Sequence, residues 1–232
     1  MGYCLFYMKH IRVDLVVISV RERRAEGLLA RLPGSVWVLP GAAVPTGVTL
    51  EQAARDALAE QTGVSGAGLE QLYTFDREGG EGVGVAYLGL VAAGRHALTP
   101  GPGVVEVRWF PLDDLPALGA DGAQVLAYGG SRVRAKAAYA PIALQLLPET
   151  FTLGELQMVY EAVLGHPLDT RNFRRDVLAA GVVEPVGRAR AEGPGRPALL
   201  YRSGTGDFQV LARERRIARA IAGPSTPRGG TT

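Results

Sequence analysis

Three arginines and an asparagine fall within five consecutive residues near the start of the last third of the chain, in the segment TRNFRRDVLAA (170–180). Phe173 and Val177 are four residues apart, which places both on one apolar side of a predicted helix. A helix with exposed arginine and asparagine fits the major groove of DNA, where arginine pairs with guanine edges and asparagine with adenine. The segment therefore predicts a DNA-reading helix, and its predicted DNA contacts are Arg171, Asn172, Arg174 and Arg175.

A second group of arginines follows in the segment GRARAEGPGRP (187–197), between two predicted strands at Val182-Val183 and 199–202. A flexible hairpin that carries arginines can reach phosphates or the adjacent minor groove. The predicted DNA contacts on this hairpin are Arg188, Arg190 and Arg196. The alternative is a small helical cap whose arginines are only solvated.

The surrounding elements would hold this helix and hairpin in place. Thr152 and Glu155 have the spacing of a capping box, which starts a helix with one apolar stripe that Gly165 ends. After a short turn, Asp169 is placed to cap the arginine-bearing helix. Helix, tight turn, basic helix and basic hairpin together predict a winged helix-turn-helix domain over residues 149–222. Residues 207–222 are predicted to form an amphipathic helix that supports either a dimer contact or DNA, and residues 223–232 a disordered tail.

Charge is distributed unevenly along the 232 residues. Residues 1–150 carry 13 Lys+Arg and 15 Asp+Glu, whereas residues 151–232 carry 12 Arg and 8 Asp+Glu. The positive balance of the second part indicates an anionic partner. The single cysteine, Cys4, excludes an internal disulfide, and the apolar start of the chain is too short for a signal peptide or a membrane span. A cytoplasmic protein is therefore expected.

The first 148 residues alternate between strand and helix patterns. Val13 to Val20 is apolar on both faces, which is typical of a central strand. Thr49 and Gln52 mark the start of a helix over 50–62 that Gly63 ends. The segment Pro148-Glu149-Thr150 is the predicted linker, since a helix usually ends before a proline. The further predicted strands are 27–32, 36–39, 69–75, 83–91 and 104–110, and the further predicted helices are 121–139 and a short connecting helix over 141–147.

The sequence resembles the Nudix-related transcriptional regulators (NrtR). In the last third the resemblance is carried by FTLGELQMVYEAVLGHPLDTRNFRRDVLAAGVVEP and GRPALLYR. In the first part it is carried by VWVLPGA, LEQLYTF, VAYLGLV, EVRWFPLDDLP and RAKAAYAPIALQLLPE. Together these motifs span about residues 11–202.

The resemblance implies an α+β fold, with an N-terminal Nudix-type α/β/α sandwich around a mixed sheet (1–148) and a C-terminal winged helix-turn-helix domain. Family members typically act as dimers on operator DNA, often repress genes of NAD metabolism, and often respond to ADP-ribose or related nucleotides. The leading hypothesis is therefore a homodimeric transcription regulator, expected to be a repressor of NAD-related or sugar-related metabolic genes, whose first domain senses a nucleotide-type effector.

The catalytic signature of Nudix hydrolases is mostly replaced in this chain. The signature G-x5-E-x7-R-E-U-x-E-E-x-G-U, in which U is a bulky apolar residue, supplies glutamates that bind Mg²⁺ and position the attacking water. Val48, Ala57 and Gln61 stand at three of the four glutamate positions, and Glu60 is the one glutamate retained. No catalytic residue, metal site or cofactor is therefore predicted. Ala42 and Asp56 replace the first glycine and the arginine, and Leu58, Gly63 and Val64 match.

The alternative is an active Mg²⁺-dependent Nudix hydrolase of ADP-ribose or another nucleoside diphosphate derivative. Asp56 and Glu60 are four residues apart on one helix face and could share a cation. Two carboxylates leave most of the magnesium shell to water, so surface acids are the preferred interpretation. A third hypothesis is a nucleic-acid binder without operator specificity.

The predicted effector contacts are Tyr73, Arg108, Trp109 and Glu60. Aromatic rings could stack a base and the arginine could pair with a phosphate. Three other aromatic residues are predicted to be core: Trp37, Phe75 and Phe110. The three histidines are far apart in the sequence and indicate no metal site: His10, His96 and His166.

Overall fold

The structure, a computed structural model, describes residues 10–80, 82–137, 140–190 and 198–204. The chain divides between Ser131 and Arg132 into two compact units. This division precedes the linker predicted at Pro148, and the predicted domain boundaries stay predictions. Within the described ranges, no helix is long and apolar enough to cross a membrane.

The first unit contains a seven-stranded mixed sheet. The main strand order is β3-β2-β1-β6-β5, with β4 added to β1 and β7 added to β2. β1 and β6 run parallel, and the other pairs are antiparallel. The strands are β1 His10–Arg21, β2 Arg24–Arg31, β3 Trp37–Val38, β4 Gly41–Ala43, β5 Leu69–Asp76, β6 Gly82–Leu90 and β7 Glu106–Pro111.

One face of this sheet is covered by helix α1, Leu50–Thr62. The helix starts where predicted, because the Thr49 side chain accepts a hydrogen bond from the backbone N–H of Gln52, and it ends at Gly63, whose φ of 75° is left-handed. Its buried side chains pack with alternate residues of β1 in a common core: Val13, Leu15, Val17, Ala53, Ala54, Ala57 and Leu58.

The opposite face of the sheet is covered by the first part of helix α2, Ala120–Ala137. Gly129 allows a close approach, because a Cβ there would lie 2.6 Å from Cγ1 of Val16. Gly27 of β2 plays the same role against Leu126, since a Cβ on Gly27 would lie 3.1 Å from Cδ1 of that leucine. The mixed sheet between two helices confirms the predicted sandwich.

The second unit contains a three-stranded antiparallel sheet in the order β8-β10-β9 and two helices. The predicted connecting helix is a 3-10 helix, Pro141–Leu146. The other elements are β8 Phe151–Thr152, α3 Leu153–Leu164, α4 Thr170–Ala179, β9 Val183–Arg190 and β10 Ala198–Ser203. Helix, helix and two-stranded hairpin confirm the predicted winged helix-turn-helix.

The caps of the second unit also agree with the sequence. Thr152 and Glu155 form a reciprocal capping box, and Gly165 ends α3 with a φ of 78°. The Asp169 side chain accepts a hydrogen bond of 2.8 Å from the backbone N–H of Asn172 at the start of α4. The predicted hairpin tip, the helix predicted over 207–222 and the tail predicted over 223–232 lie outside the described residues.

Candidate functional sites

The polar residues of α4 form one exposed face, which we call the α4 face: Arg171, Asn172, Arg174 and Arg175. At about 100° per residue, the three arginines lie within an arc of about 100°, and Asn172 lies about 60° beyond it. Phe173 and Val177 are buried on the opposite side of the helix. The helix therefore presents cationic side chains to solvent while its apolar side packs into the unit.

The three arginines differ in how far they are already paired. The guanidinium of Arg175 contacts Asp176 Oδ1 at 2.9 Å, and the Asp176 side chain is 11% exposed. Arg171 and Arg174 form no hydrogen bond or ion pair within the part of the chain that the structure describes. As far as the described residues go, Arg171 and Arg174 are thus the α4 cations that can bind an anionic partner without first losing a hydrogen bond or ion pair.

The turn between α3 and α4 is fixed by two side chains of α3 that sequence reasoning did not single out. Gln157 is buried, and its Nε2 donates to the Leu168 carbonyl at 3.1 Å and to the Thr170 hydroxyl at 3.0 Å. Glu161 Oε1 accepts from the Leu168 N–H at 3.0 Å. These bonds satisfy turn groups that would otherwise lack partners and set the position where α4 begins.

An aromatic contact ties the apolar side of α4 to α3. The rings of Tyr160 and Phe173 lie 5.5 Å apart in an edge-to-face arrangement. Burial raises the pKa of Tyr160 well above its usual value. A neutral phenol packed on Phe173 stabilises the angle at which the α4 face is presented.

The predicted hairpin contacts are only partly described. Arg188 and Arg190 lie on β9, and Arg190 is paired across the hairpin with Ala198 of β10. Arg196 lies outside the described residues. The DNA contacts predicted for all three arginines stay predictions.

In the first unit, the degenerate signature lies on and before α1. Asp56 and Glu60 are both exposed, and Asp56 Oδ1 accepts a hydrogen bond of 2.7 Å from Gln52 Nε2. Ala57, at a glutamate position of the signature, is 3% exposed and packs in the core. Within the described ranges, no three His, Cys, Asp or Glu side chains are grouped so that they could hold a metal ion.

Gln61 occupies another glutamate position and binds the backbone of Gly41 twice. Its Oε1 accepts from the Gly41 N–H at 3.0 Å, and its Nε2 donates to the Gly41 carbonyl at 2.9 Å. A carboxylate there could accept the first bond but could not donate the second. Gln61 thus has both ends of its amide bonded to Gly41 and does not supply the carboxylate that the signature has at this position.

The structure does not gather the four predicted effector contacts into one site. Tyr73 is on β5 and Arg108 on β7, with β6, β1 and β2 between them, roughly 19 Å at about 4.8 Å per strand. Trp109 packs against the core on the α1 side, whereas the Arg108 guanidinium lies 5.2 Å from the Phe110 ring centre. Glu60 is exposed on α1. Their roles in effector binding stay predictions.

A cavity of about 370 Å³ opens in the first unit, on residues that sequence reasoning missed. Its charged lining comes from β1, from the segment after β5 and from the beginning of α2. Apolar side chains, including Leu39 and Val125, complete the wall. The five charged lining residues, which we call the cavity cluster, are Arg12, Asp14, Arg77, Glu78 and Asp121.

The cavity cluster is joined by ion pairs around the buried Asp14. Arg12 Nε lies 2.9 Å from Asp14 Oδ1, and Arg77 Nη1 lies 3.0 Å from Asp14 Oδ2. Arg77 Nη2 reaches Asp121 Oδ2 at 3.5 Å. The one sequence signal for this site was the aspartate within the apolar strand VDLVVISV, because a charge rarely occupies a buried strand without a partner.

Tyr73, one of the predicted effector residues, packs against helix α2, whose first turn contributes Asp121 to this cluster. Its ring contacts the Tyr128 ring at 4.6 Å. The pKa of the Tyr73 phenol is raised by burial, and further by Tyr128 and Asp121. The contact with Tyr128 packs Tyr73 against α2, and Tyr73 itself is not among the residues that line the cavity.

Two family models match the chain. The NUDIX domain matches residues 8–128, and the NrtR DNA-binding winged helix domain matches residues 143–203. A curated relative, the ADPR responsive transcriptional repressor NtrR of Acinetobacter baylyi, is 30% identical over 84% of this chain and 82% of its own length.

Solved structures agree with this match. Shewanella oneidensis NrtR in complex with a 27mer DNA is 31% identical and has a TM-score of 0.74, over 88% of this chain and 95% of that one. The NUDIX domain of Shewanella oneidensis NrtR in complex with ADP ribose is 26% identical, with a TM-score of 0.51 over 57% of this chain and 93% of that one.

Proposed function

The chain belongs to the NrtR family of regulators, in which a NUDIX domain precedes a DNA-binding winged helix domain, and from that premise we propose that it represses transcription by binding operator DNA through the α4 face. The observation that carries the proposal is the pair of exposed arginines without a partner in the described structure, Arg171 and Arg174, on a helix that a winged helix domain presents to solvent. Such side chains reach guanine edges in the major groove and phosphates beside it.

A nucleotide effector controls this binding. The curated relative is named for its response to ADP-ribose, and a NUDIX domain of the family has been solved with ADP ribose bound. The cavity of about 370 Å³ in the first unit falls within the size range of small-molecule sites. ADP-ribose or a closely related nucleotide is therefore the proposed effector, and the Tyr73 ring, which packs beside Tyr128, is proposed to stack its base.

The NUDIX domain acts as a sensor and does not hydrolyse its ligand. This part of the proposal is supported by the repressor function of the relative and by the residues of the signature, where Ala57 is buried and Gln61 is bonded to Gly41. An assay for AMP release from ADP-ribose with Mg²⁺ tests it. We expect no turnover above a protein-free blank, whereas metal-dependent release that is lost in Glu60→Gln would establish the hydrolase alternative.

Two copies of the chain bind one operator. A winged helix reads a few base pairs, so a dimer on a palindromic site doubles the contacts and sets a spacing of one helical turn or a multiple of it. The mass of the protein–DNA complex in solution tests this stoichiometry. A complex of one chain per site at saturation would refute it. A DNA partner of this kind also implies a cytoplasmic protein.

Binding to DNA from upstream regions in a salt series tests the proposed function as a whole. Neutralised phosphates release counterions, so the logarithm of the affinity should fall linearly with the logarithm of the salt concentration. Failure to bind any upstream region at low salt would refute the repressor assignment. Equal affinity for all sequences would favour a nucleic-acid binder without operator specificity.

A further inference from the structure

The cavity cluster is not a cationic pocket, although it contains two arginines. Arg12 and Arg77 face three carboxylates, those of Asp14, Asp121 and Glu78, so the cluster carries one more negative than positive charge when all five groups are ionised. A diphosphate that entered this cavity would meet no net positive charge and would lie close to the carboxylates. Charge alone thus favours a ligand group without phosphate.

The hydrogen-bonding capacity of the cluster points the same way. Arg77 directs its two terminal nitrogens to Asp14 and Asp121, and Arg12 directs Nε to Asp14 and Nη2 to the Gly41 carbonyl at 2.9 Å. Asp121 Oδ1 also accepts from the Glu78 N–H at 3.2 Å. A carboxylate has about four acceptor positions, of which all these contacts together use only part. The groups of the cavity cluster that can still form hydrogen bonds are therefore mainly carboxylate oxygens, which accept. Hydroxyl groups of a ligand can donate to them.

We propose that this cavity binds a ribose diol of the effector, with the Asp14 and Asp121 carboxylates accepting from its hydroxyl groups, and that the phosphates lie outside it. The inference rests on the proposed function in taking the cavity as the effector site. Carboxylates that accept from ribose hydroxyls are a general means of recognising nucleotides. Leu39 and Val125 provide apolar wall for the ring carbons.

The test is binding of ADP-ribose and of free D-ribose to the full chain, by calorimetry for the first and saturation-transfer NMR for the second. Asp121→Ala is the main variant, because Asp121 is less buried than Asp14 and its loss leaves Arg77 paired with Asp14. Asp113→Asn is the matched control, since it removes one carboxylate from the exposed ion pair with Arg24 in the same unit. Thermal unfolding of each variant checks that the fold is intact.

We expect Asp121→Ala to bind ADP-ribose about tenfold or more weakly, because one charge-assisted hydrogen bond is lost. The same variant should lose the D-ribose signal. Asp113→Asn should bind both ligands as the unmodified chain does. Asp14→Asn, if folded, should weaken both ligands in the same way. Unchanged binding in Asp121→Ala would overturn the proposal. Tighter binding would also overturn it, because removal of a negative charge favours a phosphate in the cavity.

Measuring both ligands allows failure of the diol site to be distinguished from failure of the proposed function. If D-ribose binds with the expected dependence on Asp121 but ADP-ribose does not bind, the diol site stands and the proposed effector is wrong. If neither ligand binds the unmodified chain, the diol site is wrong. In both cases the affinity of the chain for operator DNA remains a separate test of the repressor assignment.

Discussion

The arginines of α4 are equivalent by charge but not by surroundings. Arg175 is held by Asp176, so a DNA contact would have to compete with an existing ion pair, whereas Arg171 and Arg174 have no such contact in the described structure. Exposed charged side chains contribute little to stability even when they are paired. Replacement of Arg174 should therefore change DNA binding without changing the free energy of unfolding.

Arg174→Ala is predicted to weaken operator binding by about tenfold or more if the side chain contacts a guanine, and to reduce the salt slope by about one if it contacts a phosphate. Fluorescence anisotropy of labelled DNA at several salt concentrations measures both quantities. Arg95→Ala is the control, because Arg95 is exposed in the first unit and carries the same charge. Equal affinity and equal slope in Arg174→Ala and the unmodified chain would remove α4 from the DNA interface.

Glu26 on β2 offers a prediction about stability. Burial raises its pKa above the ordinary 4.5, and the nearby Arg21 only partly offsets this effect. The folded chain thus holds the Glu26 proton more tightly than the unfolded chain, and the free energy of unfolding falls as pH rises from about that ordinary value through the raised pKa.

Glu26→Gln removes this penalty, so we expect a higher free energy of unfolding at neutral pH and a weaker decline from about pH 4 to about pH 7. Urea unfolding at several pH values across that range measures the free energy of unfolding and its decline. Glu51→Gln, which removes the same charge from an exposed position, is the control for the loss of one negative charge. A decline that is unchanged in Glu26→Gln would show that another group causes it.

Among single residues, sequence reasoning succeeded where the signal was local. The α4 arginines and their caps lie within a dozen positions, so spacing alone was enough to predict their shared face. The cavity cluster was missed because Arg12, Arg77 and Asp121 come from distant segments that only the tertiary fold brings together. Tyr73 and Arg108 both suit a ligand chemically but lie on strands that the sheet separates, and their roles in effector binding stay predictions.

At the level of elements, those with a cap or a long periodic run were predicted closely. α1 has the predicted bounds, and α3 and α4 begin at the predicted caps. β4 and β8 were not predicted, because two or three residues are too few to show a period. Each is held instead by its partner: β4 pairs with β1, and β8 pairs with β10.

The packing of α2 on β1 depends on a glycine, which makes a paired test possible. Gly129→Ala would bring a methyl group to 2.6 Å from Val16 Cγ1, so we expect a loss of about 1–3 kcal/mol in the free energy of unfolding. Gly122→Ala, earlier in the same helix, meets only ordinary contacts at 3.9 Å from Leu39 Cγ and should gain up to about 1 kcal/mol. Thermal or urea unfolding of the two variants measures these changes in the free energy of unfolding. Equal stability would mean that α2 does not approach β1 as described.

At the scale of the whole molecule, the resemblance predicted the fold class and the order of the two domains, and both are confirmed by the family matches. The sensing role means that effector binding to the first domain changes the free energy of DNA binding by the second. An effector can shift operator binding only by as much as its affinity differs between the DNA-bound and free forms of the chain. The proposed effector cavity in the first unit and the proposed DNA-binding α4 face in the second are the two sites that such coupling would connect.

The most direct test of this account is the affinity of the full chain for DNA selected by it from a random pool, measured with and without saturating ADP-ribose. We predict binding to the selected sequence at least about 10³-fold tighter than to a scrambled sequence, and a loss of about 5- to 150-fold when ADP-ribose is present. Equal affinity for selected and scrambled DNA, unchanged by ADP-ribose, would contradict the assignment of the chain as an effector-controlled repressor.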